Sequence, residues 1–290
     1  TALRDAELSM ADRWILSRLQ RTVARVHEHM VNYRFDLISQ DIYEFIWNEY
    51  CDWYVELSKP LLWNADEEPE KARAARLTLL SVLEASLRMT HPLMPFITEE
   101  IWQRVAPLLG IQGETIMLQP YPQPETDLID EQAEADIDWV KGVIEGIRNI
   151  RGEMNIAPGK AFPALLRGGE QDHQRLEANR QYLMKLAKLS QLDWLDNDQE
   201  APVAATQLYR DMEILVPLAD LIDKDAEIAR LEKEIGKLEK QLAGINAKLA
   251  NSKFVDNAPE AVVEAERQRQ RESESALAAL KDKLARIRAL

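Results

Sequence analysis

The run from Ile228 to Leu290 constrains the fold of this chain more than any other stretch. Ile228, Leu231, Ile235, Leu238, Leu242, Ile245 and Leu249 recur at spacings of 3, 4, 3, 4, 3 and 4. Such a heptad pattern lays one apolar seam along one helix. The seam stops at Asn251-Ser252-Lys253, shortly before Pro259, and a second helical stretch ends in Leu277, Leu280, Leu284 and Ile287. Two helices of similar length around a short turn form an antiparallel hairpin. The first, about 29 residues, would extend roughly 44 Å at about 1.5 Å per residue. The return helix has a weak middle, because counting back from Leu277 gives Ser273, Gln270 and Glu266. Polar seam positions cost stability, so a flexible arm is expected.

The length of 290 residues leaves room for two or three domains. Hydrophobic residues make up 46% and charged residues 30%, a globular composition. No run of 18 apolar residues exists, so no membrane partner is expected. The start, Thr1-Ala2-Leu3-Arg4-Asp5, has no initiating Met and no signal-peptide core. It reads as the cut or processed end of a longer protein. The single cysteine, Cys51, rules out internal disulfides and a multi-cysteine zinc site, and it fits a cytoplasmic setting. Net charge is −14, which argues mildly against indiscriminate nucleic-acid binding. That charge is uneven. Residues 222–290 hold 14 Lys+Arg and 13 Asp+Glu, leaving 22 basic and 37 acidic residues in the rest. An acidic body limits non-specific RNA binding but permits a few placed basic contacts.

The expected division is 1–125, a helical bundle, 126–221, a small α+β module, and 222–290, the hairpin. The fold class is therefore mainly α. In the first part a helix is expected over Ala11–Val31, with Ile15, Leu19, Val23, Val26 and Met30 as its apolar stripe. Arg18, Arg21 and Arg25 line the other side, as a solvated face or a track for an RNA backbone. A second helix runs over Phe35–Leu57, and Lys59-Pro60 is expected to close it. Six of its twelve residues from Tyr43 to Tyr54 are aromatic. Tyr43, Trp47, Tyr50 and Tyr54 share one stripe and are assigned to core packing ahead of base stacking. A third helix spans Glu70–Met89, with Leu77, Leu80, Leu83 and Leu87 as its apolar side, and a fourth opens at Thr98-Glu99-Glu100 after a stiff His91–Pro95 connector. Amphipathic helices on short links suggest an up-and-down bundle. Beyond a linker marked by Pro120, Pro122 and Pro124, a helix over Ile129–Ile150 precedes β-like runs at Phe162–Leu166, Gln191–Leu195 and Met212–Val216, with a helix near Arg175–Leu189.

Catalytic signatures are absent. There is no Walker loop, no dinucleotide-binding glycine fingerprint and no H-E-x-x-H. His27 and His29 stand two apart on a helix and make a poor metal pair. His91 and His173 lack nearby partners in sequence. Cys51, in the aromatic helix, is expected to be a buried inert thiol. Nothing rises to a catalytic constellation, so this chain alone is expected to be inactive.

The segment Tyr33-Arg34-Phe35-Asp36, with Tyr43-Glu44-Phe45-Ile46-Trp47-Asn48-Glu49-Tyr50-Cys51-Asp52-Trp53-Tyr54-Val55-Glu56-Leu57-Ser58-Lys59-Pro60, resembles the anticodon-binding bundle of class I aminoacyl-tRNA synthetases. Asp12-Arg13-Trp14-Ile15-Leu16-Ser17 and His91-Pro92-Leu93-Met94-Pro95-Phe96-Ile97-Thr98-Glu99-Glu100 match the same group. These segments leave the leucine, isoleucine and valine enzymes open. The stretch Arg148–Pro158 leans toward valine, and Leu249–Pro259 followed by Val262–Arg267 closely resembles the tip of the valyl-tRNA synthetase coiled-coil arm. The isoleucine enzyme typically ends in a cysteine zinc module, which one cysteine cannot supply.

The resemblance implies the C-terminal part of a valine–tRNA ligase, without the H-I-G-H and K-M-S-K-S signatures or the editing domain of the family. Its partners would be valine tRNA and the catalytic and editing domains of the same parent chain. ATP and Mg would serve the parent, with no cofactor in this chain, and a monomer is expected. Valine anticodons share their last two bases, so a discriminating surface should read those two, by stacking and edge hydrogen bonds. On the bundle the candidates are Arg13 and Trp14, with Arg18 and Arg21 as backbone contacts; Trp14 is equally a core candidate. At the outer corner of the tRNA the candidates are Lys248, Lys253, Phe254, Arg267 and Arg271, with Arg269 between them. Phe254 either stacks on an exposed base pair or packs the hairpin tip. The arginines stand two apart and fan around their helix. Two rival readings remain: a coiled-coil module that pairs with another protein, and a free-standing tRNA-binding factor.

Overall fold

The computed structural model describes residues 3–218, 224–251 and 259–289. They form two compact units. One comprises the chain up to Arg148 together with Glu170–Lys188; the other comprises Asn149–Gly169 and Leu189 onward. The fold is mainly α.

In the first unit α1 spans Met10–Val31. Ser9 caps it in a reciprocal box with Asp12, which satisfies two otherwise unpaired backbone donors. Ile15, Leu19, Val23 and Val26 are buried as the periodicity requires, but so are Trp14, Leu16, Ser17, Gln20 and Thr22. Helix α1 is thus covered on more than one side and runs through the bundle.

The second helix departs from expectation. It begins as α2, Phe35–Tyr43, widens into an 11-residue π-helical segment, Glu44–Tyr54, and returns as α3, Val55–Trp63. Pro60 lies inside α3 and does not end it. A proline here removes one backbone bond. The buried Leu57 and Ser58 hold the helix in place, and the packing outweighs the local preference. The π turn, bonded i to i+5, also shifts the phase of the aromatic stripe. Tyr54 is fully buried, Tyr50 is half-buried, and Tyr43 and Trp47 stand 60% and 55% exposed. Assigning all four rings to the core was therefore wrong for the first two.

Helices α4, Pro69–Thr90, and α5, Pro95–Val105, each start with proline in the first turn, where the missing N–H costs nothing. Leu80, Leu83 and Leu87 of α4 pack with Trp102, Val105 and Ile116. Ala72, Ala75, Thr78, Val82 and Met89 are also deeply buried, a second face the leucine stripe did not reveal. Two tyrosines fix the direction of α4 against α1. The Tyr54 hydroxyl donates to Asp12 and lies 3.5 Å from the Ala75 carbonyl. Tyr121 meets the His27 ring edge-on and donates to the Met89 carbonyl. The two helices therefore start together and end together, as alternate members of an up-and-down bundle do. Helix α6, Glu131–Glu153, and helix α7, Glu170–Leu186, follow. The α7 residues and α6 as far as Arg148 group with the bundle, and Trp139 of α6 donates to Asp172 of α7 at 2.8 Å.

The second unit contains strands β1, Phe162–Arg167, β2, Leu189–Trp194, β3, Ala204–Tyr209, and β4, Met212–Pro217, in the order β2-β1-β4-β3. The β1–β2 pair is parallel and the other pairs are antiparallel. Strand β3 was not foreseen. It joins β4 through a two-residue turn in which Arg210 takes φ 53°. Such turns normally advertise themselves by Asn-Gly or Asp-Gly, and this one uses Arg-Asp.

Helices α8, Lys224–Ala250, and α9, Glu260–Ala289, form the antiparallel hairpin. Leu231, Ile235 and Leu284 form one buried cluster, with Ile228, Leu277 and Leu280 against them, and Ile245 and Val263 are also buried. The polar middle is present. Glu266 and Ser273 are only 8% and 7% exposed, and Gln270 donates to Asn246 across the hairpin at 2.7 Å.

Candidate nucleic-acid interface

The bundle cations proposed for RNA contact are held by carboxylates from elsewhere in the chain. Arg13 meets Asp130 at 2.7 Å. Arg18 forks onto both oxygens of Glu49, at 2.8 to 3.1 Å, a fixed bidentate geometry. Arg21 donates to Glu134 at 2.7 Å, and Ser17 donates to the same oxygen. Arg25 meets Asp41. The hydrogen bond that Arg18 donates to Glu49 is the main reason its guanidinium holds its proton above the usual arginine range, with burial opposing it. This face is neither a bare basic track nor a merely solvated one. It is a neutralised lattice whose donors are already oriented.

Trp14 requires correction as a base-stacking candidate. It is 1% exposed, with the Lys141 ammonium 4.3 Å from its ring centroid. A base cannot reach that ring without unpacking the core. Burial lowers the Lys141 pKa, with the Glu49 carboxylate acting the other way. Lys141 also lies 5.4 Å from Trp53, so one cation joins two indoles.

Beside Arg13 opens a groove of about 950 Å³ lined by Ser9, Pro60, Leu61, Lys71, Arg175 and Tyr182 among others. Lys71 pairs with Glu68 and Arg175 with Asp136. The groove is therefore mixed in sign and suited to a few directed hydrogen bonds more than to strong phosphate attraction.

Aromatic side chains that could meet a base include two that the sequence reading assigned to the core. Tyr43 and Trp47 stack on each other with ring planes 10° apart. Tyr33, Phe35, Trp63 and Phe96 are exposed, Phe96 to 90%. Tyr33 adopts φ 54°, an unusual conformation for a bulky residue and one found at functional positions. The synthetase-like motifs contain all of these residues except Trp63, but nothing in them set these rings apart as exposed.

The arm candidates divide. Lys253 and Phe254 lie outside the described residues. Lys248 is exposed and reaches Glu266 at 3.6 Å. Arg267 and Arg271 both meet Glu264, at 3.6 and 2.8 Å, and Arg269 meets Glu266 at 3.3 Å. The Glu264 carboxylate is held below its usual range, chiefly by the hydrogen bond from Arg271.

Cys51 is exposed, not buried as expected, because the wide π turn swings it outward. Partial desolvation and then the neighbouring Asp52 carboxylate raise its thiol pKa, which disfavours the nucleophilic thiolate. His27 and His29 have separate partners, the Pro122 carbonyl and Asp41. Among the described residues no three metal-ligating side chains converge, and no helix is long and apolar enough to cross a membrane.

Two family models match the chain. Residues 12–166 match the anticodon-binding domain of tRNA ligase, and residues 223–288 match the valyl tRNA synthetase tRNA binding arm. The first covers more than half of the chain and takes in α1 through β1; the second takes in both helices of the hairpin. The chain therefore belongs to the tRNA ligases that carry the anticodon-binding domain, and it joins to that domain the tRNA-binding arm of valyl-tRNA synthetases.

Proposed function

We propose that this chain is the tRNA-recognising part of a valine–tRNA ligase. The helical bundle reads the two anticodon bases that valine tRNAs share, and the arm holds the outer corner of the same tRNA. One observation carries this reading: the two matched segments follow one another in a single chain, in the order expected for that enzyme. The acidic body supports it, because Arg13, Arg18 and Arg21 are spent on carboxylates and leave recognition to a few directed contacts. Arg13 remains the best-placed of the bundle candidates, at the rim of the groove and 47% exposed. Valine activation with ATP and Mg, and editing, would fall to other domains of the parent chain, in the cytoplasm, with the chain acting as a monomer.

A protein-pairing module is less well supported. It would need seam residues left open, whereas Leu231, Ile235, Ile245 and Leu284 are buried within the hairpin. The test is binding of the chain to valine tRNA transcript across a salt series, beside a transcript with the two shared anticodon bases exchanged. Binding that weakens with salt and with the exchange supports both backbone and base readout. Binding that ignores the exchange would sink the anticodon reading and leave the arm contact alone.

A further inference from the structure

The two helices of the arm present different electrical faces to solvent. On α8, Lys233, Lys237, Lys240, Gly244, Ala247 and Asn251 recur at spacings of 4, 3, 4, 3 and 4. That step keeps them on one stripe, opposite the apolar seam, and all six are exposed. Lys233, Lys237 and Lys240 make no ion pair among the described residues, in contrast to Lys248. On α9 the charges near the tip are closed on themselves, with Glu264 taking Arg267 and Arg271 and Glu266 taking Arg269. A free cation is worth more to a phosphate than one that must first leave a carboxylate. The second half of the α8 stripe adds a separate observation. A Cβ at Gly244 would meet nothing within 4 Å, so packing inside the arm does not call for glycine. Glycine is nevertheless the least favourable helix-interior residue after proline, and it is suited to close approach of another backbone.

Resting on the tRNA-binding reading of the arm, we propose that this α8 stripe is the face against which the RNA backbone lies. Lys233, Lys237 and Lys240 meet phosphates, and the side-chain-poor stretch at Gly244 and Ala247 lets the sugar–phosphate chain approach the helix. The α9 arginines act mainly within their own helix, as partners of Glu264 and Glu266. The three lysines span about 10 Å at about 1.5 Å per residue, a length over which a tracking strand offers repeated negative charge.

The test uses the full chain and valine tRNA transcript, titrated at several salt concentrations. Combining Lys233→Ala, Lys237→Ala and Lys240→Ala should weaken binding about 10- to 100-fold and lower the salt slope by about two to three. Combining Arg267→Ala, Arg269→Ala and Arg271→Ala should change affinity by less than about threefold if those cations stay on carboxylates. Gly244→Gln should weaken binding while the helical melting midpoint holds or rises, a split that a purely structural role would not give. A lysine variant that binds like the unmodified chain, or an arginine variant that takes the main loss, overturns the proposal and leaves the tRNA reading standing. If the unmodified chain binds no tRNA at any salt, the tRNA reading and this proposal both fall.

Discussion

The bundle and the arm are both helical, yet they are specified differently. In the bundle, charges and hydroxyls are tied across long stretches of chain: Asp12 to Tyr54, Arg13 to Asp130, Ser17 and Arg21 to Glu134. Large rings such as Trp14, Trp102 and Trp139 fill the interior. In the arm the described cross-helix contacts come from two helices alone, and the seam runs apolar near Leu231 and Leu284 but polar at Glu266, Gln270 and Ser273. A bundle built this way keeps oriented donors in place, as the proposed reading of bases would require. An arm with a polar middle is expected to open locally at lower cost than the bundle, and under the proposed function that would let it fit itself to a tRNA.

The comparison breaks most sharply at Trp14. Trp14→Ala should cost about 3–5 kcal/mol of bundle stability in urea unfolding, as for other buried tryptophans. Lost tRNA binding at unchanged stability would instead return Trp14 to the interface. Next comes Asp12, whose pKa is raised by burial, with the hydrogen bonds from Tyr54 and Ser9 opposing the shift. A carboxyl with a raised folded pKa favours the native state when protonated. Its contribution is present at low pH and is lost as pH rises through the folded value. Asp12→Asn, which cannot ionise, should therefore be less damaging at pH 7 than near pH 4, within a total effect of about 1–3 kcal/mol. The same difference at both pH values would show that Asp12 carries no burial cost.

On the arm, Ser273→Leu should raise stability by about 1 kcal/mol through added seam burial, and amide exchange near Ser273 should slow. Without that change, exchange in the middle of the arm should be faster than in α1 when tRNA is absent. Equal protection would remove the contrast between the two regions. The smallest effect is expected at Arg13. Its pair with Asp130 is partly exposed, so Arg13→Ala should change stability by less than about 0.5 kcal/mol. Any loss of anticodon discrimination in that variant then reports on RNA contact directly.

Local periodicity made α1, α4, α6 and both arm helices legible, because an apolar residue every three or four positions has one helical solution. Less local features were not legible. Whether the second helix would stop at Pro60 depended on how firmly Leu57 and Ser58 were packed. The phase of Tyr43 and Trp47 depended on a π turn that no propensity signals. Strand β3 hid behind a turn without glycine. Of the candidate site, the arginines were legible as residues but their carboxylate partners were not. Arg13 and Asp130 are 117 positions apart, and no sequence pattern couples them.

The sequence alone determined the hairpin, its polar middle, the acidic body beside a neutral arm, and the motifs that tie the chain to tRNA ligases. Each of these is written in neighbours within a few turns, or in composition. Only the tertiary structure decided that Trp14 is core, that the bundle arginines are neutralised, that Tyr43 and Trp47 face water, and that Lys233, Lys237 and Lys240 of the arm meet no carboxylate among the described residues. Burial and ion pairing are properties of what comes to lie beside a residue, and in the bundle those neighbours arrive from tens of residues to more than a hundred residues away.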